Sequence, residues 1–305
     1  MILPPKLVAG DAVGIVAPAR KVSPEQITPA TDVLRGWGLE PVLAPGLFSE
    51  QHSYLAGTDD ERRSDLQRFL DDASIKAIFC ARGGYGSTRI LDDLDFTALR
   101  HHPKWIIGFS DITAIHLALA RIGIASAHAT MPLFFGQAEA QNSVESLRQL
   151  LFGGRVEISA PARPGNRAGV ASGRVLGGNL SLVVDAIGTA SDPDTTDAIL
   201  IIEEIDEYYY KVDRMFRQLR RSGKLSRLAG LVVGHMTDMK NSDLAFAESI
   251  QEIVTDALHG CEFPVAFGFP SGHENPNLAW MHGAKGILEV GDKGARLCYP
   301  TSAEV

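Results

Sequence analysis

Short apolar runs alternate with helical patterns along the first half of the chain. Runs rich in Val, Ile and Leu predict strands, and segments whose apolar residues recur every three or four positions predict helices. The predicted strands span residues 13–18, 40–43, 75–80 and 105–107. The predicted helices span residues 24–37, 59–70 and 87–93, and another follows Ser110. This order predicts an α/β domain with a parallel sheet and helices on both faces.

The second half mixes strands and helices in a less regular order. Strands are predicted at residues 173–176, 198–202 and 228–233 and near Val265, Ile287 and Ala295, and helices at 180–187, 207–219 and 244–258. Residues 159–169 are rich in Pro, Gly and Ala without periodicity, which is typical of a linker. We therefore expect a parallel-sheet domain over residues 1–158, similar to flavodoxins and amidotransferases, and a mixed α+β domain over residues 170–305.

Composition narrows the class of protein. The 305 residues are 45% hydrophobic and carry a net charge of −8, which favours a soluble globular protein and gives no support for nucleic-acid binding. The cysteines Cys80, Cys261 and Cys298 are widely separated, so neither a disulfide framework nor a zinc site is predicted. No signal-peptide pattern and no apolar run near the ~18 residues of a membrane helix is visible, which favours a cytoplasmic location.

Ser110 lies where a predicted strand meets a predicted helix. A serine at such a turn has free helix N–H groups nearby, and these groups stabilise an oxyanion during acyl transfer. The match to a nucleophile elbow is partial, because Ile112 stands where the second glycine of that motif usually lies. The alternative is that Ser110 caps the helix, with Asp111 interacting favourably with the helix dipole.

Two polar residues in the second half have the chemistry to assist a serine. Glu203 ends the apolar run 198–202, and a carboxylate there can orient a histidine. His273 lies in a loop rich in Gly and Pro, and a histidine can take a serine proton and return it to a leaving amine. The alternatives are an exposed carboxylate at a strand end and an ordinary surface histidine.

A glycine-rich loop, Arg82-Gly83-Gly84-Tyr85-Gly86, follows the strand at 75–80. Its backbone amides can bind an anion, either a substrate carboxylate or an oxyanion. It matches neither the G-K-[ST] nor the G-x-G-x-x-G nucleotide pattern. Arg82 is equally consistent with a structural role, paired with a local acid. No histidine or cysteine cluster has the spacing of a metal site.

Seven short motifs follow one another along almost the whole chain. They are GDAVGIVAP at 10–18, RGGYG at 82–86, GFSDIT at 108–113, GGNL at 177–180, IEEIDE at 202–207, YKVDRM at 210–215 and GH at 272–273. In these motifs and in their order the chain resembles the L,D-carboxypeptidase family, the cytoplasmic serine peptidases that trim muropeptides. One motif alone is modest evidence, but the order is specific.

The resemblance implies a role for each matched residue. The implied catalytic triad is Ser110 as nucleophile, His273 as base and Glu203 as the carboxylate that holds the histidine. The implied oxyanion donors are the backbone N–H groups of Asp111 and of Gly84 or Gly83, and the implied substrate-binding residues are Arg82, Gly83 and Asn179.

The resemblance also implies an activity. The implied reaction cleaves the bond between the L-centre of meso-diaminopimelate or lysine and the terminal D-alanine of a muropeptide tetrapeptide. It proceeds through an acyl-enzyme, and the implied setting is peptidoglycan recycling. No metal or cofactor is implied. The implied partners are a small peptide substrate and a second copy of the chain in a homodimer, with no nucleic acid and no membrane.

The chain departs from the family pattern at one place. Where the family usually has Leu-Pro-(apolar)-Gly, this chain has Trp280-Met281-His282-Gly283, which we expect to alter substrate preference. The nearest alternative function is that of the self-immunity peptidases of the microcin C type, which cleave peptidyl- or aminoacyl-nucleotide antibiotics. There Trp280 would stack on a nucleobase, although plain packing is favoured. A second alternative is a non-catalytic protein that binds cell-wall peptides.

Overall fold

The computed structural model describes residues 1–300 and divides into two compact units. The first unit comprises Met1–Val156 and Pro276–Gly283, and the second comprises Glu157–Asn275 and the segment from Ala284 onward. Two details differ from the predicted division. Part of the predicted linker lies in a strand, Glu157–Pro161, and the chain returns to the first unit after Asn275.

The strands and helices are numbered in chain order. The strands are β1 Ala12–Val16, β2 Glu40–Leu43, β3 Ile75–Cys80, β4 Trp105–Gly108, β5 Ser126–His128, β6 Glu157–Pro161, β7 Gly169–Asn179, β8 Ala198–Ile205, β9 Gly230–Thr237, β10 Val265–Phe267, β11 Trp280–His282, β12 Lys285–Gly291 and β13 Gly294–Cys298. The helices are α1 Pro24–Gly36, α2 Asp59–Asp71, α3 Thr88–Leu91, α4 Thr113–Arg121, α5 Gln141–Leu151, α6 Leu180–Asp185, α7 Tyr209–Arg221 and α8 Ile250–Ala257. Short 3-10 turns lie at Thr97–Arg100, Ser110–Ile112, Pro132–Phe134 and Ala138–Ala140.

The first unit is built on a six-stranded sheet in the order β11-β5-β4-β3-β1-β2. Its strands are parallel except β11, which runs antiparallel to β5. From β1 the chain moves outward to β2 and then returns to the other side of β1 as β3. Loops that leave the carboxyl ends of strands at such a reversal diverge and form ligand sites. The reversal lies between β1 and β3, so a ligand site is expected at the loops that follow these two strands.

The second unit contains a seven-stranded sheet in the order β10-β9-β8-β7-β12-β13-β6. The strands from β10 to β7 are parallel, and β12, β13 and β6 are antiparallel. The central strand β8 is an almost continuous apolar run because both of its faces are buried. The predicted fold class, a parallel-sheet domain followed by a mixed α+β domain, is confirmed.

Several element bounds differ from the sequence prediction. The helix predicted over 244–258 begins only at Ile250, where Ser249 and Glu252 form a reciprocal capping box. Four elements were not predicted at all, namely β5, β6, β11 and α5. Among residues 1–300, no helix has the length and apolar character needed to cross a membrane.

Candidate active site

Ser110 occupies a sharp turn between β4 and α4. Its φ of 61° lies in the left-handed region, which a residue with a Cβ adopts only at an energetic cost. The residue begins the 3-10 turn Ser110–Ile112, and α4 follows directly. Such strain at a strand-to-helix turn is the geometry of a nucleophile elbow, and strained residues of this kind cluster at functional sites.

The turn is close-packed, and Ser110 is not the N-cap residue of either helical segment. The N-cap residues are Phe109 for the 3-10 turn and Ile112 for α4, and neither makes a side-chain capping hydrogen bond. Gly108 is needed for space, because a Cβ there would lie 2.8 Å from Ile112 Cγ1. The motif glycine thus allows the chain after Ser110 to fold back against β4.

The glycine-rich loop after β3 lies directly against the serine. A Cβ on Gly83 would sit 3.0 Å from Ser110 Cβ, 3.2 Å from Ser110 Oγ and 3.3 Å from Asp111 N. Gly84 has a φ of 105°, and a Cβ there would meet Arg20 and the hydroxyl of Tyr54 instead. The missing side chain of Gly83 therefore keeps open the space beside the serine oxygen and the Asp111 amide.

Two buried charged side chains fix this loop. Asp111 is 2% exposed, and its Oδ2 accepts a 2.8 Å hydrogen bond from the backbone N–H of Ser87. Burial raises the pKa of Asp111, and the hydrogen bonds from Ser87 and Gly86 act in the opposite direction. Arg62, on α2, donates to the Gly86 carbonyl at 2.9 Å and also to the carbonyl of Pro18. These bonds tie the loops after β1 and β3 to the serine turn.

A small cationic cavity lies beside the same loop. Its volume is about 270 Å³, and its lining includes Arg20, Lys21, Arg82 and Glu50. Arg20 packs on the loop: its backbone N–H donates to the Gly83 carbonyl, and its guanidinium lies 5.1 Å from the centre of the Tyr54 ring. Burial and the charge of Arg20 lower the pKa of Arg82.

The structural alternative for Arg82, pairing with a local acid, is not what the geometry shows. Within residues 1–300, Arg82 forms no ion pair with a carboxylate. The same holds for Arg20 and Lys21 within that range. Three cations and one carboxylate around a small cavity leave a local excess of positive charge in an otherwise acidic protein.

Glu203 and His273 form a hydrogen-bonded pair in the second unit. His273 Nδ1 lies 2.7 Å from Glu203 Oε2, and the Glu203 side chain is fully buried while that of His273 is 13% exposed. Since the carboxylate accepts, Nδ1 carries the proton and Nε2 is left as the base of the neutral ring. Burial disfavours the charged ring, but attraction to Glu203 and the hydrogen bond raise the pKa of His273 above its usual value.

The neighbouring carboxylate, Glu204, faces a different set of groups. It accepts hydrogen bonds from Asn179 Nδ2 at 2.8 Å and from the backbone N–H and hydroxyl of Ser181. Successive side chains of a strand point to opposite faces, so only one of two adjacent glutamates can reach the histidine. Asn179 also accepts from Leu182 N and so caps α6; its substrate-binding role stays a prediction.

Two glycines make room for Glu203. A Cβ on Gly272, whose φ is 126°, would approach Glu203 Oε2 to 2.9 Å and Glu203 Cβ to 2.8 Å. A Cβ on Gly234 would lie 3.3 Å from Glu203 Cβ and 2.3 Å from the carbonyl oxygen of Ser271. The glycine of the GH motif thus lets the backbone before His273 pass close to the carboxylate.

Trp280 and His282 lie in β11 of the first unit, and both are completely buried. The indole stacks on His128 at 4.6 Å between ring centres, and His282 stacks on His116 at 5.5 Å. Burial lowers the pKa of His116 to about 4, so its neutral ring donates from Nε2 to the Gly108 carbonyl at 3.0 Å. The favoured interpretation of Trp280 as packing agrees with this burial, because the indole stacks on His128 of β5 in the core of the first unit.

Sequence reasoning missed one residue beside the pair. His235 follows the predicted strand 228–233, and its Nδ1 accepts a 3.1 Å hydrogen bond from the backbone N–H of Glu274. The sequence pattern that could have identified His235 is the one seen at Glu203, a titratable residue at the end of an apolar strand. Throughout residues 1–300, no group of three or more His, Cys, Asp or Glu side chains is arranged to hold a metal ion.

The predicted site residues thus fall into two sets. Ser110, Asp111, Arg82, Gly83 and Gly84 come together in the first unit. Glu203, His273 and Asn179 lie in the second unit, where Glu203 contacts His273 directly and Asn179 contacts Glu204.

The chain is similar to known families and proteins over most of its length. Residues 13–129 match the LD-carboxypeptidase N-terminal domain, and residues 172–288 match the LD-carboxypeptidase C-terminal domain. A probable murein peptide carboxypeptidase of Bacillus subtilis is 35% identical over 297 residues, covering 96% of this chain and 93% of the relative. A murein tetrapeptide carboxypeptidase of Pseudomonas aeruginosa is 30% identical, covering 91% of this chain and 92% of the relative.

Solved structures share the fold. A muramoyltetrapeptide carboxypeptidase from Oxalobacter formigenes superposes with a TM-score of 0.86 at 27% identity, covering 95% of this chain and all of that one. The microcin C7 self immunity protein MccF, in complex with aspartyl sulfamoyl adenosine, superposes with the same TM-score at 22% identity over 99% of both chains. The two domain matches, in order and over most of the sequence, show that the chain belongs to the LD-carboxypeptidase family of peptidases.

Proposed function

We propose that this protein is a serine-type L,D-carboxypeptidase that releases the terminal D-alanine of a muropeptide tetrapeptide. The observation that carries the proposal is the left-handed backbone at Ser110, on a turn against which Gly83 packs where any side chain would crowd the serine oxygen. The buried Glu203–His273 pair and the names of the murein peptide relatives support it. The proposed setting is peptidoglycan recycling in the cytoplasm.

The proposed reaction has two halves. In the first half, His273 Nε2 takes the Ser110 hydroxyl proton while Oγ bonds to the carbonyl carbon of the residue before D-alanine. The proton then passes to the amine nitrogen as the C–N bond to D-alanine breaks. In the second half a water molecule gives a proton to His273 and attacks the resulting ester. The C–O bond to Ser110 breaks, and His273 returns the proton to the serine oxygen. Glu203 holds the ring and stabilises its positive charge in both halves.

We assign the oxyanion to two backbone amides. One is the N–H of Asp111, which lies next to Ser110 in the chain, and the other is the N–H of Gly84, in the peptide that follows Gly83. Donors fixed by the backbone need no reorganisation when charge develops on the carbonyl oxygen. Removing one donor of this kind typically costs about 10²- to 10³-fold in kcat.

We assign substrate carboxylate binding to the cationic cavity. The terminal carboxylate of the tetrapeptide needs a positive partner, and Arg82 has no competing ion pair within residues 1–300. Arg20 and Lys21 line the same cavity and add to its positive charge. Gly83 leaves room for the peptide next to Ser110, and Asn179 remains a proposed contact from the family resemblance.

The test is D-alanine release from a synthetic tetrapeptide, followed by mass spectrometry. We expect wild type to yield tripeptide and D-alanine, and Ser110→Ala to yield neither above background. Release at the same rate by both proteins would exclude Ser110 as nucleophile. Binding without release by wild type would favour a non-catalytic cell-wall-peptide binding protein.

The same assay separates the microcin-type alternative. An aminoacyl sulfamoyl adenylate is supplied in place of the tetrapeptide, and cleavage of only that compound would overturn the proposed substrate. The buried indole of Trp280 speaks against the nucleobase contact expected for that activity. The homodimer implied by the family resemblance is checked separately, by light scattering of the purified chain.

A further inference from the structure

The loop that carries His273 is held at two points by a single residue. The backbone N–H of His235 donates to the Ser271 carbonyl at 2.8 Å. The ring of His235 accepts at Nδ1 from the Glu274 N–H at 3.1 Å. His235 lies near the end of β9, so the loop on both sides of His273 is fixed to the sheet.

The Glu274 contact defines the state of the His235 ring. A backbone amide only donates, so Nδ1 must be unprotonated and Nε2 must carry the hydrogen. Burial lowers the pKa of His235, which favours this neutral form; the charges of Glu274 and Glu203 oppose that effect, and His273 reinforces it. Protonation of His235 would remove the acceptor for Glu274.

We propose that His235 is a positioning residue for His273, holding the 271–274 backbone so that the His273 ring stays hydrogen-bonded to Glu203. This inference rests on the proposed function, in which His273 is the base. Glu203 is buried and its Oε2 meets the ring at 2.7 Å, so a small loop displacement misaligns the pair. Misplacement of a catalytic group by about 1 Å can cost about 10²-fold in rate.

Variants at position 235 separate the effect of the hydrogen-bond acceptor from the effect of the bulk of the ring. The Asn oxygen in His235→Asn lies about where Nδ1 does and can accept from Glu274, whereas His235→Leu keeps bulk without an acceptor. Thr237→Val is the matched control, because Thr237 Oγ1 donates to Glu274 Oε1 at 3.1 Å and leaves the backbone contact untouched. All three proteins are compared with wild type for tetrapeptide hydrolysis and by NMR.

We expect His235→Leu to lower kcat about tenfold with KM nearly unchanged, the effect of one lost hydrogen bond. Its Glu274 amide should exchange with solvent about tenfold faster, and the titration of the His273 ring should move. His235→Asn and Thr237→Val should stay within about threefold of wild type. Equal damage in the Leu and Asn variants, or wild-type exchange and titration in the Leu variant, would overturn the proposal.

An NMR titration of wild type keeps the test independent of variant folding and of substrate. In wild type, the Glu274 amide resonance should shift and lose protection as the His235 ring is titrated with acid. An amide that follows only the His273 titration would contradict the inference. Absence of muropeptide cleavage would refute the proposed function, while the NMR comparison would still decide the role of His235.

Discussion

The serine turn and the glutamate–histidine pair are built by different physical means. The turn is built by backbone conformation and close packing. Ser110 is held at a φ of 61°, and Gly83 lies so close to it that a Cβ there would crowd the serine. In the pair, two side chains 70 positions apart are joined by one charged hydrogen bond. We therefore expect the turn to be sensitive to added atoms and the pair to be sensitive to charge and pH.

The largest expected effect comes from the pair. Glu203→Gln should lower kcat by about 10³- to 10⁴-fold, because the ring loses the partner that fixes its tautomer. In the proposed mechanism the neutral ring is the base, so wild-type activity should fall as pH drops through the raised pKa of His273. Its acid limb should lie above the ordinary histidine value of about 6.5, and that of the variant should lie lower.

A control for this change is Glu204→Gln, which removes a neighbouring buried carboxylate with different contacts. Its acid limb should shift by less than that of Glu203→Gln. A larger shift in the Glu204 variant would mean that the pair has been assigned to the wrong glutamate.

The same pair predicts an opposite trend for stability. Because the folded-state pKa of His273 is raised, its attraction to Glu203 stabilises the fold fully below the unfolded pKa of about 6.5. That contribution is lost as pH rises through the folded pKa. The Tm difference between wild type and Glu203→Gln should therefore be larger at pH 5.5 than at pH 9. An equal difference at the two pH values would contradict the raised pKa of His273 in the folded state.

The turn should respond to a single methyl group. Gly83→Ala places a Cβ 3.0 Å from Ser110 Cβ and 3.2 Å from its oxygen, so we expect kcat to fall about 10²-fold. Gly36→Ala is the matched control, because nothing lies within 4 Å of a Cβ there. Steady-state kinetics and thermal unfolding of both variants check this. Equal activity of the two would mean that the serine turn tolerates displacement.

The cationic cavity should affect binding more than chemistry. Arg82→Gln should raise KM about tenfold with little change in kcat, since the proposed charge-assisted hydrogen bond to the substrate would be lost in both ground and transition states. Arg100→Gln removes the same charge from an exposed position in the same unit and should change neither constant. Similar KM values for the two variants would remove Arg82 from the binding site.

The smallest effect should reveal the strain at the turn. Ser110→Gly and Ser110→Ala both remove the proposed nucleophile, but glycine adopts a positive φ freely. We expect the glycine variant to be more stable than the alanine variant by about 1 kcal/mol in denaturant unfolding. Equal stability of the two would contradict the strained geometry at Ser110.

Strongly patterned elements were predictable from the sequence, and short ones were not. The apolar runs in β3 and β8 and the spacing in α2 identify those elements directly. β5 and β11 have three residues each, too few to show a period, and they are strands because they pair with each other across the fold. Non-local pairing of this kind leaves no local signal.

The candidate site was predictable as chemistry but not as geometry. The strand-end positions of Ser110 and Glu203 are visible in the apolar pattern, and the family resemblance joined them to His273. The contact of Gly83 with the serine and the hold of His235 on Glu274 depend on tertiary packing. The family resemblance favoured Glu203 over Glu204, but the contacts that distinguish them, Glu203 with His273 and Glu204 with Asn179, are visible only in the fold.

The central claim is that the serine and the pair act as one catalytic unit. The direct test compares kcat/KM for D-alanine release in wild type, Ser110→Ala, His273→Ala and the double variant. Groups that act in the same step are non-additive when removed, so we predict that the double variant loses no more than about threefold beyond the slower single variant. Losses that multiply in the double variant would show that Ser110 and His273 act independently and would contradict the account.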